Sequence, residues 1–376
     1  MNTKRERKIL ILYASYGDGH MQVSKALQQC FWERGLHNVL MLDLYASAHP
    51  LMDAITRFAY LTSCSFCPSL YGWSYYLTQN MQHNRTPVKF LNTFGIGALR
   101  EFIQAERPDA VINTFPMAVM AELRKQAGLQ IPIFTVLTDF VLHDRWIHQE
   151  IDQYFVANEE LKTAIINKGI PAERVKVSGI PLRKAFCQTY NKNQLFLRYG
   201  LEPAKKIVLI MAGAYGVMRN LKKICRALLD LEDIQILLVC GKNQALKDRI
   251  EASFAQKPNI CIFGFVEHIQ ELMSISSCMI TKAGGITLSE ALSLQLPVIV
   301  FRPLPGQEKE NATFLENKGA ARIACKIEEL VEHVEQILYK RQQVGQMKKA
   351  IRALQRKDAS EAIVLDIINE LDGAGV

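Results

Sequence analysis

Residues 54–100 of this chain contain no aspartate or glutamate, although Asp53 and Glu101 bound them. A stretch that keeps Arg57, Arg85, Lys89 and Arg100 and no acid carries charge of one sign, which suits an anionic surface. No apolar run approaches the roughly 18 residues of a membrane-crossing helix. The basic N-terminus, MNTKRERKILILYASYGDGH, has only a short apolar run before a glycine turn. It reads as a first strand and not a signal peptide, and a cytoplasmic protein is expected. That turn lacks G-x-G-x-x-G, which disfavours a nicotinamide or flavin dinucleotide. The nine cysteines are an odd count, scattered through apolar patterns as at Cys240, Cys261 and Cys278, as reduced, buried thiols are. Cys64 and Cys67 form a C-x-x-C without a second pair, which argues against a zinc or redox site.

What is present describes a globular protein: 49% hydrophobic and 22% charged residues in a chain of 376, long enough for two domains. The formal net charge of +8 fits an acidic partner, whether lipid surface, nucleotide or nucleic acid. Nucleic acid is the weakest of these, because the aromatics cluster with apolar residues instead of alternating with basic ones. Strands are predicted over 8–14, 39–44, 110–113, 133–137, 154–157 and 175–178, then over 207–211, 236–240, 260–263, 279–281 and 298–301. Short continuous apolar runs with helical segments between them predict parallel sheets covered by helices on both faces. The polar stretch 200–206 reads as a linker between a first domain, 1–200, and a second, 205–355. After Phe314 only helices are predicted, the last over 360–371.

The chain is organised around residues 281–311, TKAGGITLSEALSLQLPVIVFRPLPGQEKEN. A buried strand ends in the pair Gly284 and Gly285, and a helix follows, with Thr287 in its first turn. Glycines at such a junction let backbone N–H groups and the positive helix end approach an anion. Glu290, one turn in, suits a ribose diol. A Pro/Gly loop then empties into the polar run Gln307, Glu308, Glu310 and Asn311, a set suited to sugar hydroxyls.

The first domain offers His20 at the mouth of its glycine turn, at the carboxyl end of the first strand, where open α/β sheets bind ligands. A second cluster follows the 133–137 strand: Asp139, which can orient an imidazole, accept a proton or cap the next turn, then Trp146 and His148. Trp146 is suited to stacking on a sugar or lining a lipid entrance. The acid-free region is crowded with rings, among them Tyr71, Trp73, Tyr75 and Tyr76, whose apolar bodies and polar tips favour a lipid headgroup layer.

Together GDGH, NTFP at 113–116, TDF with the following H..W.H at 138–148, GIP at 179–181 and the 281–311 stretch resemble the monogalactosyldiacylglycerol synthases and the bacterial processive diacylglycerol glucosyltransferases. The resemblance covers nearly the whole chain. It implies an α/β fold of the GT-B class, two Rossmann-like doubly wound domains facing across a cleft, with 356–376 packing back on the first domain. It further implies UDP-glucose as donor and 1,2-diacylglycerol as acceptor, giving β-glucosyldiacylglycerol with inversion, possible extension to a second glucose, and a supply of glycolipid that includes lipoteichoic acid anchors. UDP-galactose, a polyprenyl-linked acceptor, and an inactive UDP-sugar or lipid sensor are the alternatives. On this reading Phe265 and Val266 meet the uracil, Gly213, Gly284 and Gly285 the diphosphate, Glu290 the ribose, and Gln307, Glu308 and Asn311 the hexose. His20 is the first candidate for the base that takes the acceptor proton, with Asp139 as alternative. The absence of any D-x-D agrees with an enzyme that needs no metal or other cofactor, the leaving charge being met by helix ends and loop N–H groups. The protein is expected on the inner face of the cell membrane, held peripherally by the 54–100 surface.

Overall fold

The computed structural model of the chain describes residues 6–15, 18–48, 68–79 and 95–373. Two compact units emerge, one of residues 1–183 with 356–376, the other of residues 184–355.

The first unit is built on six parallel strands: β1 (Ile9–Tyr13), β2 (Val39–Asp43), β3 (Ala110–Asn113), β4 (Ile133–Val136), β5 (Gln153–Val156) and β6 (Val175–Val177). Their spatial order is β2-β1-β3-β4-β5-β6. Ile9, Leu10, Ile11 and Leu12 of β1 are all 0% exposed. That is why the strand reads as an unbroken apolar run: helices cover both faces of the sheet. β2 lies on one side of β1 and every later strand on the other, so the winding reverses between β1 and β3. Crevices at such reversals, at the carboxyl ends of the strands, are where open α/β sheets bind ligands.

The returning helix Ala359–Gly373 buries Ile363, Val364, Ile367 and Leu371 and packs on the helix Asp18–Glu33. Arg7 Nη2 donates to the Leu371 carbonyl at 2.8 Å, Lys176 pairs with Asp366 at 3.1 Å, and Arg34 pairs with Glu361. The turn at Gly179 is shaped to this arrangement. Its φ of +90° favours glycine, and a Cβ there would collide with the side chain of Arg356.

The second unit holds β7 (Lys206–Met211), β8 (Ile234–Val239), β9 (Ile260–Phe263), β10 (Cys278–Thr281), β11 (Val298–Phe301) and β12 (Ala321–Ala324), in the parallel order β12-β11-β10-β7-β8-β9. Its reversal lies between β7 and β10.

The structure departs from the sequence reading in two places. Residues 184–204, assigned to the first domain and linker, pack in the second unit. Phe186 is buried there, its carbonyl accepting from Ser293 Oγ at 2.8 Å, and Arg198 and Tyr199 each reach Glu271 at 2.7 Å. The strand β12 was not expected, because ARIA has the composition of a helix turn and pairs only with β11 at the sheet edge. The polar run at 307–311 opens the helix Gln307–Asn317.

Candidate functional site

In the first unit the candidate centre sits where the winding reverses. The chain leaving β3 is tied to the end of β1, since Thr114 N and Thr114 Oγ1 both donate to the Leu12 carbonyl, at 3.0 and 3.2 Å. Ser24 of the helix Asp18–Glu33 donates from Oγ to the His20 carbonyl at 2.9 Å, and its Oγ also lies 2.9 Å from Thr114 Oγ1. These bonds fix the helix against β3 and deliver the His20 ring to Thr114, whose carbonyl lies 2.7 Å from Nδ1. A carbonyl only accepts, so Nδ1 carries the proton and Nε2 keeps its lone pair. Thr138 Oγ1, just past β4, is 3.3 Å from the same Nδ1. Phe115 stands edge-on to the imidazole at 4.9 Å and is itself met edge-on by Tyr45.

Burial pushes the His20 imidazole below its ordinary pKa, while the negative charge of Asp139 and the Thr114 carbonyl pull it partly back. The result is a neutral imidazole with a fixed tautomer, beside a carboxylate that is 6% exposed. That arrangement can take a proton at Nε2 and stabilise the cation that forms.

The loop beyond Asp139 is a bracket. His143 Nδ1 accepts from the Arg145 N–H at 3.2 Å, and its Nε2 donates to the Tyr75 carbonyl at 3.3 Å. Burial lowers its pKa to about 4, so both bonds are made by the neutral ring. Gln79 donates to the Leu142 carbonyl at 3.1 Å. The helix Pro68–Gln79 is thereby fastened to the segment carrying Thr138 and Asp139. Its outward face presents Trp73, 63% exposed, with Tyr76 and Leu77.

Trp146 is not at an open entrance: it is buried at 3% exposure within the turn Asp144–Trp146. His148 is likewise engaged in holding the fold. Its Nε2 lies 3.5 Å from Glu122, its Nδ1 accepts from the Glu150 N–H, and its backbone exchanges hydrogen bonds with the Tyr154 hydroxyl. An apolar body and a bonded polar tip bury readily, which is why loop residues of these types looked like ligand contacts. Arg57, Arg85 and Lys89 lie outside the described residues, as does the side chain of Tyr71.

In the second unit the reversal gathers Gly213, after β7, and Gly284, after β10. Gly213 has φ of +85°, and its carbonyl accepts from Gly216 N–H at 3.0 Å, closing a tight turn. Gly284 caps the helix Gly285–Ser293, and a Cβ added to it would meet nothing within 4 Å. A side chain would therefore have room at that helix end, whose first N–H groups have no intrahelical partner. Thr287 is in the first turn, and Glu290 lies further along, 8% exposed.

The helix Gln307–Asn317 closes against the same loop. Asn311, wholly buried, donates from Nδ2 to the Ala283 carbonyl at 3.3 Å, which makes it a brace for the glycine loop. Glu308 accepts the Leu304 N–H at 3.1 Å; burial raises its carboxyl pKa, and the charge of Lys282 opposes that shift. Gln307 opens the helix, and Phe265 and Val266 sit past β9, Phe265 being 59% exposed. Thr114, Thr138 and Lys282 went unrecognised from sequence. Each lies inside a segment singled out there, but nothing in residue type tells which carbonyl or ammonium turns toward the site.

Residues 20–182 match the family described as monogalactosyldiacylglycerol (MGDG) synthase, and residues 207–363 match the glycosyltransferase family 28 C-terminal domain. A processive diacylglycerol beta-glucosyltransferase of Bacillus thuringiensis (strain Al Hakam) is 42% identical over 364 residues, spanning 96% of this chain and 94% of the relative. Among solved structures, MurG of Acinetobacter baumannii superposes with a TM-score of 0.65 at 19% identity, over 96% of this chain and 99% of that one. The S. aureus MnaA-UDP co-structure gives 0.65 at 16% identity, over 97% of each chain. At such identities these structures establish the fold, which is GT-B.

Proposed function

Because the chain belongs to the family of processive diacylglycerol beta-glucosyltransferases, we propose that it moves glucose from UDP-glucose to the free hydroxyl of 1,2-diacylglycerol, with inversion at the sugar carbon. The observation that carries this reading is the 42% identity to a protein of that name over 96% of the chain, both units included.

His20 Nε2 takes the proton from the acceptor hydroxyl as its oxygen attacks the donor carbon, and Asp139 steadies the imidazolium that forms. The bond to the UDP oxygen breaks at the same time. The charge on that oxygen is met by the N–H groups of the turn at Gly213 and of the helix beginning at Gly285. Glu290 takes the ribose hydroxyls, Thr287 supports the phosphate end, and Phe265 and Val266 receive the uracil. Gln307 and Glu308 contact the hexose, and Asn311 acts through the loop it braces.

No helix among the described residues is long and apolar enough to cross a membrane. Attachment to an anionic bilayer is assigned to the helix Pro68–Gln79, where Trp73, Tyr76 and Leu77 form an outward apolar face. An enzyme held there need not release its lipid product, which permits addition of a further glucose. The match of residues 20–182 to the MGDG synthase family makes UDP-galactose the second donor to test.

The test incubates the full chain with UDP-glucose or UDP-galactose and diacylglycerol in anionic vesicles, followed by mass analysis of extracted lipids. Hexosyl-diacylglycerol from UDP-glucose is the expected product. Product from UDP-galactose alone would replace the sugar assignment, and no glycolipid from either donor would remove the acceptor assignment.

A further inference from the structure

Three neighbouring loops at the carboxyl edge of the second sheet meet around a lysine that the donor reading does not use. Lys242 Nζ, just past β8, lies 5.6 Å from the ring centroid of Tyr215, past β7, and 5.6 Å from that of Phe265, past β9. Both distances are within reach of a cation–π attraction. The lysine's backbone is fixed: its N–H donates to the Ala214 carbonyl at 2.8 Å. Gly241 before it, at φ of +64°, is packed so closely on the 213–216 turn that a Cβ would collide with the Gly213 and Ala214 carbonyls. Asn243 after it donates to the Tyr215 carbonyl at 3.3 Å and caps the helix Gln244–Phe254. The backbone is held firmly while Lys242 and Phe265 are exposed.

We propose that Lys242 is a base-reading residue, whose ammonium donates to the O4 carbonyl of the donor's uracil when the base stacks on Phe265. This rests on the reading of the second unit as a UDP-sugar site. The strand order gives the direction. Gly213 and Gly284 flank the β7–β10 reversal, so the diphosphate belongs there, and the base extends the other way, over β8 and β9. The edge of uracil farthest from the ribose carries O4, and Lys242 and Phe265, past β8 and β9, both stand on the base side of the reversal. A planar base stacking on the Phe265 ring displaces the ammonium from the ring face to the base edge, and stacking of this kind is favourable for any base. Selectivity then comes from the donor: O4 of uracil accepts from an ammonium, whereas the same position of cytosine bears an amino group that donates.

The test is calorimetric titration of the full chain with UDP, CDP and uridine, for the wild type, Lys242→Met and Lys242→Arg. Lys242 is exposed, and equal melting temperatures establish that the variants are folded. The wild type is expected to prefer UDP to CDP. Lys242→Met weakens UDP and uridine alike by about five- to tenfold, the size of one exposed hydrogen bond, and leaves CDP nearly unchanged. Lys242→Arg keeps most of the preference. A Lys242→Met variant that loses UDP affinity but not uridine affinity overturns the assignment in favour of a phosphate contact. Unchanged UDP affinity and an unchanged UDP-to-CDP ratio overturn it outright, with the donor site intact. A wild type that binds no UDP removes the donor reading and this inference together.

Discussion

As the proposed base, His20 acts at the scale of a single proton. The Thr114 carbonyl fixes the tautomer, and burial keeps the ring neutral against the pull of Asp139. A base must be unprotonated to act, so activity is lost as pH falls through its pKa. Because that pKa is depressed, the midpoint of the acid-side fall in kcat/KM should lie below about pH 6.5, the ordinary imidazole value. A pH–rate profile checks this, and a midpoint above the ordinary value would contradict it. His143 is a second neutral imidazole, pushed down to about 4, with bonds at both nitrogens. Between roughly pH 6.5 and 4 the unfolded chain binds a proton there that the folded chain does not, so its stabilisation is complete above that window and is lost as pH falls through it. The loss is on the order of 3 kcal/mol at most. Melting temperature against pH should show this slope in the wild type and a shallower one in His143→Gln, at a lower overall stability.

At the scale of elements, the helix Pro68–Gln79 joins an outward apolar face to the loop that carries Thr138 and Asp139. Replacing Trp73, Tyr76 and Leu77 together by serine should weaken binding to anionic vesicles by about tenfold or more, as loss of that much apolar burial implies, while UDP affinity is unchanged. Vesicle co-sedimentation checks it. Most of this architecture is legible in the sequence, for a physical reason. A strand buried on both faces must be apolar throughout, and β3, β9 and β11 lie at the predicted bounds. The edge strand β12 escapes because it needs no such run, and its arginine is exposed. The candidate site is legible as backbone geometry at its glycine turns, where conformation restricts residue type. It is less so at Trp146, His148 and Asn311, whose polar atoms are satisfied by the fold itself. Type and position alone do not separate a buried, bonded polar group from one awaiting a ligand.

At the scale of the whole molecule, the last residues of the chain complete the unit that the first residues begin. A chain ending at Gln355 would uncover the helix Asp18–Glu33, which holds His20, by removing Ile363, Val364, Ile367 and Leu371 from it. Hydrogen exchange should then rise across the first unit while the second keeps its protection, and uniform protection of both would contradict the account. His20 is proposed as the base of a glycosyl transfer to diacylglycerol. The most direct measurement compares kcat for hexosyl-diacylglycerol formation in the wild type and His20→Ala, with UDP affinity taken on the same samples. Loss of the base should lower kcat by about 10²–10⁴ with UDP affinity unchanged. A His20→Ala enzyme that still forms the glycolipid at close to the wild-type rate would contradict it.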